Sequence, residues 1–301
     1  MQIWIIFTVF AAFVQNIRFV LQRNLHHAGM SASSATFARF IFGAPIALMF
    51  LLFLIFNFDY HLPTFEPNFF YFSLIGGTAQ ILATIFTIKL FGKRNFSVGI
   101  IFTKTEIIQT AIVGFIFLGE ALSVYGSIAI MISFLGILCL SESKKAFLNK
   151  SPAIILNKTA IIGVSAGTLF AISSVGYRGA SLSLVEGNYI IRAATTLTFV
   201  TIFQAIIMSI WSAINDKNSG LSALKNWRIS CLVGITGVLG SYAWFLAFTL
   251  QNAAYVRALG QIELVFTFLA SYFFLKEKNS QTEMIGIFLI LLSVFLILKS
   301  F

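Results

Sequence analysis

Charge is scarce in this 301-residue sequence: Asp, Glu, Lys and Arg together make up 10% of it, against roughly 25% in an ordinary soluble domain. With 58% hydrophobic residues, too little polar surface remains to cover a water-soluble fold. Cysteine is nearly absent. Cys139 and Cys231 each sit inside an apolar run, which excludes a disulfide framework. The histidines, His26, His27 and His61, lie in connecting segments, and no Cys/His group has metal-ligand spacing. A phosphate-binding loop of the form Gly-x-x-x-x-Gly-Lys-Ser/Thr is also missing, so nothing couples ATP hydrolysis to movement. No metal or other cofactor is expected.

What the chain has instead is apolar runs near the roughly 20 residues that cross a bilayer. Read by length and by polar, Gly or Pro breaks, the first five are Ile3 to Gln22, Ser34 to Phe56, Asn68 to Phe91, Ser97 to Leu118 and Ser123 to Ser141. The second five are Thr159 to Arg178, Gly187 to Trp211, Arg228 to Leu250, Ala253 to Leu275 and Gln281 to Leu298. The first lacks a basic leader and a small-residue cleavage site, so it is expected to be a retained helix. Residues 144–158, with Lys144, Lys145, Lys150, Pro152 and Lys158, form a polar linker between residues 1–143 and 159–301. The formal charge of +10 is dispersed between the spans rather than gathered in a stripe, which points to a lipid bilayer and away from nucleic acid.

The two halves resemble each other. A gapless shift of 157 positions places Gly77 on Gly234, Asn95 on Asn252, Glu106 on Glu263, Thr110 on Thr267, Glu120 on Glu277 and Ser123 on Ser280. Acidic residues are rare here, so two of them falling on two others carries weight. Further upstream the register slips, and Arg39 is expected to correspond to Arg192 and Arg23 to Arg178. Five spans is an odd number, so the second repeat enters the membrane from the opposite side. The expectation is an all-α integral membrane protein of about ten transmembrane helices in two inverted five-helix repeats. Secondary transporters are commonly built this way, with the solute held near the midplane.

An ionisable side chain at membrane depth costs at least about 2.5 kcal/mol and normally faces a cavity or a partner. The candidates are Arg18, Arg39, Lys104, Glu106, Arg192, Arg257 and Glu263. At about 100° per residue, Thr103, Glu106 and Thr110 share one face of the fourth span, as Gly260, Glu263 and Thr267 do in the ninth, while Lys104 lies some 200° from Glu106. Two readings stand side by side. In the first, Glu106 and Glu263 bind a proton or a substrate amine, while Arg39, Arg192 or Lys104 meets a carboxylate or phosphate. In the second, the glutamates are structural ion-pair partners of Arg39 and Arg192. Arg18, Arg178 and Arg257 lie nearer the predicted span ends, where snorkelling is the simpler expectation.

Gln15, Arg18 and Gln22 repeat at helical spacing and mark one polar stripe of the first span, expected to line a cavity. Gln109, Gln261, Tyr242 and Trp244 are further candidate solute contacts. Against the two aromatics, plain packing is a competing reading in a chain with 35 phenylalanines. Gly43 followed by Pro45 predicts a bend in the second span. Gly163-Val164-Ser165-Ala166-Gly167 spells a nucleophile-elbow pattern, but it lies inside an apolar helix rather than after a strand, so no enzyme is expected.

Phe117-Leu118-Gly119-Glu120-Ala121-Leu122-Ser123 and Phe273-Phe274-Leu275-Lys276-Glu277, ending the fourth and ninth spans, resemble the signature of the drug/metabolite transporter superfamily, EamA-like branch. Ala38-Arg39-Phe40 and Glu263-Leu264-Val265-Phe266 look like runs common in that branch, except that Leu264 stands where a proline is usual and Lys104 is less expected. The resemblance covers the whole chain. It implies a permease with a central cavity between the repeats, and it leaves the solute open. Glu120 and Glu277 are expected to be structural groups near the interface, capping the next turn or pairing with cations such as Lys276 or Lys278.

Loop charges place both termini outside by the positive-inside rule, whereas the resemblance implies termini inside. The combined expectation is a multi-pass protein of the bacterial cytoplasmic membrane that carries an anionic or zwitterionic metabolite, such as an amino acid or nucleotide-like solute. It would work by alternating access with proton coupling or exchange. A passive channel and an intramembrane enzyme are the alternatives, and the sequence leaves the oligomeric state open.

Overall fold

A computed structural model describes residues 2–91, 102–140, 158–216, 219–270 and 281–299. In chain order the elements are α1 (Ile3–His27), α2 (Ala32–Phe58), β1 (Thr64–Phe65), α3 (Pro67–Phe91), α4 (Glu106–Leu118), α5 (Val124–Leu140), α6 (Lys158–Leu182) and β2 (Leu184–Val185). There follow α7 (Tyr189–Asn215), α8 (Ser219–Lys225), α9 (Trp227–Leu250), α10 (Ala253–Gly260), α11 (Ile262–Ala270) and α12 (Gln281–Lys299). The linker 144–158 except Lys158, and the helix-end residues Lys276, Glu277 and Lys278, lie outside the described residues.

Among the described residues, 7 helices are long and apolar enough to cross a bilayer: α1, α2, α3, α6, α7, α9 and α12. The expected fourth and ninth spans differ from the prediction. Phe102 and Thr103 are helical, Lys104 and Thr105 form a turn, and α4 begins at Glu106. In the ninth, a turn at Gln261 separates α10 from α11. Hydropathy smooths over such breaks because the residues flanking them stay apolar. The short α8 was not expected either.

Local chemistry explains several ends. Ser31 caps α2 by accepting from the Ser34 amide at 3.0 Å, and Asn188 caps α7 by accepting from the Ile190 and Ile191 amides. Each cap satisfies donors that a helix N-terminus leaves open. Pro45 lies within α2, which runs from Ala32 to Phe58 as one helix.

The packing is that of a chain in lipid. Large apolar side chains such as Phe10, Phe53, Phe56, Phe115 and Phe288 point outward, while Ala11, Ala12, Ala35, Ala38, Ser173 and Thr196 are buried. Lipid supplies no hydrophobic drive between helices, so close approach by small residues holds them together. At Gly234 an added Cβ would lie 2.7 Å from Phe42 Cβ and 2.9 Å from its carbonyl carbon, so α9 meets α2 backbone to backbone.

The contacts cross between the halves. α3 packs on α6 as α1 packs on α9, α4 on α6 as α10 and α11 on α1, and α2 meets α7 while α5 meets α12. Strands β1 and β2 pair antiparallel, Thr64 with Val185 and Phe65 with Leu184, joining the segment after α2 to the segment after α6. Ser31 and Ser34, at the start of α2, bond to Asp216 after α7.

Candidate functional site

The helix breaks define the site. Lys104 and Gln261 are 157 positions apart, and the same short backbone bond recurs at each: Ile107 N to Lys104 O at 3.4 Å, Leu264 N to Gln261 O at 2.9 Å. These three-residue closures replace α-helical bonds and free backbone groups at membrane depth. Such irregular backbone is tolerated where protein buries it. Gly167 shows how closely α6 covers the first break, since an added Cβ would lie 2.7 Å from the Thr103 carbonyl oxygen.

Each break starts a half-helix, and each half-helix carries a glutamate in its first turn: Glu106 in α4 and Glu263 in α11. The partial positive charge of a helix N-terminus favours a carboxylate there. Arg257 falls in the last turn of α10, where the dipole favours a cation. The breaks therefore help to hold charges that an unbroken helix would have to bury unaided.

The pairing crosses between the halves. The Lys104 ammonium donates to Glu263 Oε1, whose other oxygen accepts from Gln15 Nε2 at 3.1 Å. Asn16 Nδ2 donates to the Glu263 carbonyl at 3.1 Å. Glu106 faces Arg257 at 3.9 Å, in the opposite half. Arg257 in turn donates to Ser174 Oγ at 2.7 Å and stands 4.8 Å from the centroid of Trp244 and 5.4 Å from that of Phe248. Trp244 Nε1 donates to Gln15 Oε1 at 3.1 Å, so one chain of contacts runs Lys104, Glu263, Gln15, Trp244, Arg257, Glu106. Gln261 donates to the Arg257 carbonyl at 3.1 Å, and its side-chain oxygen is buried without a hydrogen-bond partner among the described residues, as is that of Gln109.

Arg39 lies apart from this chain. Its guanidinium donates to Thr84 Oγ1 at 3.4 Å and Ser241 Oγ at 3.1 Å, and it lines a small pocket between α2, α3, α7 and α9. Arg192 is only partly buried at the start of α7 and donates to the Ser181 and Leu182 carbonyls at 2.9 Å each. Tyr242 donates to the Ile190 carbonyl at 3.3 Å and meets Phe50 edge to face. In the second of the two readings Glu106 and Glu263 pair with Arg39 and Arg192; in the structure their cations are Arg257 and Lys104 instead. The expected correspondence of Arg39 with Arg192 also changes. Both ends of α7 lie 157 positions after those of α2, which puts Thr196 opposite Arg39.

Nor do the three arginines assigned to span ends snorkel. Arg18 and Arg257 are buried, and Arg178 pairs with Glu120 while donating to the Phe248 and Gln251 carbonyls at 2.6 Å. Glu120 is thus tied to Arg178 across the end of α6. Asn16 stands beside Gln15 among the polar residues recurring in the spans, whereas Ser174 and Phe248 escaped the sequence reading. The Gly163-Val164-Ser165-Ala166-Gly167 run lies inside α6, so Ser165 sits on no strand-to-helix elbow.

A bundle of apolar helices with buried charges at paired helix breaks defines the class: a multi-pass membrane protein. The EamA-like transporter family model matches residues 2–142 and again residues 157–299, and the chain belongs to that family. It is accordingly a membrane transporter, with a small solute and the lipid bilayer as its partners. Among solved structures, one titled only "Crystal structure of protein" is 12% identical, with a TM-score of 0.65 over 95% of this chain and 97% of that one. That likeness supports the fold alone. No curated protein matches the chain.

Proposed function

We propose that the protein is a secondary-active carrier of ten transmembrane spans in two inverted five-helix repeats, moving an anionic or zwitterionic organic metabolite by alternating access. The observation that carries this reading is the pair of helix breaks in register, each placing a glutamate against a cation of the opposite half. Discontinuous helices meeting near the midplane are how many secondary transporters build a solute site. Contacts that cross between halves are also the ones that must part and re-form when one half rocks against the other.

Charge supports the choice of solute. Among the described residues, the buried cations are Arg18, Arg39, Lys104 and Arg257, and the buried carboxylates are Glu106 and Glu263. Four against two leaves an excess that an anionic group would relieve. Glu106 and Glu263 are the groups through which proton coupling or exchange would act, by taking a proton or a solute amine and releasing Arg257 or Lys104. Repeats 1–143 and 159–301 then form one transport domain, joined by the polar linker.

The test is uptake by the full-length protein reconstituted in liposomes. A carrier gives saturable uptake that rises when unlabelled solute is present on the far side. Linear flux with no such counterflow makes the protein a passive channel and ends the carrier reading.

A further inference from the structure

Arg39 and Arg18 are each 3% exposed. Neither has a carboxylate within ion-pair distance among the described residues, where the ion pairs are Lys104 with Glu263, Arg178 with Glu120, and Arg257 with Glu106. Among the described residues the buried Arg18 Nε has no hydrogen-bond partner. A buried charge held only by neutral groups costs several kcal/mol, so an arrangement of this kind stands ready for an incoming anion.

The Arg39 pocket has the form of a site. Besides the guanidinium its polar lining is Ser241, Thr201, Gln80 and Gln204, while Leu197, Val200 and Phe245 close it with apolar surface. It has room for about one water molecule while the helices are together, so the head of an anion would enter as they part. Its polar lining includes no acidic side chain, so an ammonium beside the anion would find no ionic partner there.

Resting on the carrier reading above, we propose that this pocket is the anion subsite of the transport pathway, and that it takes the carboxylate of a small organic acid with an apolar body and no amino group beside the carboxylate. The carboxylate would accept from both terminal nitrogens of Arg39, the geometry a guanidinium favours, with Ser241 and Thr201 adding hydroxyl donors. The apolar body would lie toward Leu197, Val200 and Phe245 once α2 and α9 part. The chain of ion pairs at the helix breaks would then serve movement rather than anion capture.

The experiment is thermal stabilisation of the purified full-length protein by matched pairs, isocaproate against leucine and hydrocinnamate against phenylalanine, with chloride as a separate titrant. The wild type should be stabilised saturably by at least one of the two acids, with its amino-acid partner at least about tenfold weaker. Arg39→Gln should lose that stabilisation and, with an unneutralised buried charge gone, melt no lower than the wild type without ligand. Gly43→Ala provides a second variant, because the added methyl meets Val238, Thr201 and the Gly234 carbonyl oxygen at ordinary contact distances of 3.5, 3.6 and 3.8 Å. It should fold and bind the acid several-fold more weakly by narrowing the pocket.

Acid binding unchanged in both variants would overturn the subsite and leave the carrier reading standing. Leucine binding as tightly as isocaproate would overturn the solute class. Stabilisation by chloride alone, lost in Arg39→Gln, would make this an inorganic-anion site and overturn the organic-acid assignment. If neither acids nor amino acids bind the wild type, the subsite falls together with the anionic or zwitterionic solute, and counterflow still judges the carrier.

Discussion

Glu106 and Glu263 occupy the same register in the two halves and differ in how they are held. Glu263 is saturated: Lys104 and Gln15 each take one of its oxygens, and Asn16 binds its backbone. Glu106 meets Arg257 only at 3.9 Å, beyond hydrogen-bond length, and Arg257 is itself engaged by Ser174 and the ring faces of Trp244, Phe248 and Phe170. The sequence symmetry is therefore not a symmetry of function. A saturated carboxylate suits a lock between halves, whereas a loosely held one suits a group that must exchange partners. On the carrier reading proposed above, the Glu263 side would be the lock in this conformation and the Glu106 side the movable contact.

The largest effect should come from breaking the lock. Lys104→Met leaves Glu263 buried without its cation, which should cost about 3–5 kcal/mol and be read as a lower melting temperature with counterflow at background. Glu106→Gln should cost less, about 2 kcal/mol, because its pair is longer. It should flatten the pH dependence of uptake while the protein still assembles. An equal stability loss in the two variants would erase the distinction between lock and movable contact. Gly167→Ala, which presses a methyl on the Thr103 carbonyl at the first break, should cost about 1–3 kcal/mol, measured by thermal unfolding. Trp244→Phe keeps a ring face for Arg257 and loses the bond to Gln15, so a stability loss of about 1 kcal/mol is expected. Tyr242→Phe should change least, under about 1 kcal/mol with KM unmoved, since Tyr242 lies away from the charge chain and its bond to Ile190 is long.

Much of this was legible in the sequence, for identifiable reasons. Apolar length located the helices, and the rarity of acidic residues made the match of Glu106 with Glu263 visible through the common apolar background. The rarity of polar side chains inside the apolar spans picked out Lys104, Gln15 and Gln261, which the fold gathers near the breaks. Pairing was not legible. Angles around one helix show which residues share a face, but not which cation arrives from another helix, so Lys104 and Arg257 were not expected as the partners. Arg257 was assigned to a span end because span nine read as one helix; once the break at Gln261 is seen, it lies at the C-terminal end of a half-helix in the interior. Arg192 looked deep because α7 was expected to start at Gly187. With the cap at Asn188, Arg192 sits in the first turn and bonds to the end of α6.

The central claim is that the Lys104 and Glu263 pair locks the two halves in this conformation and must part as they move against each other, rather than serving as a static lock. A double-mutant cycle tests it most directly: Lys104→Met, Glu263→Gln and the double variant, each measured by thermal unfolding and by counterflow in liposomes. Removing both charges together should recover most of the stability lost in Lys104→Met, because no buried charge is left unpaired. Counterflow should remain at background in all three variants. If the double variant regains both stability and counterflow, the pair is a structural lock and the account of its movement is wrong.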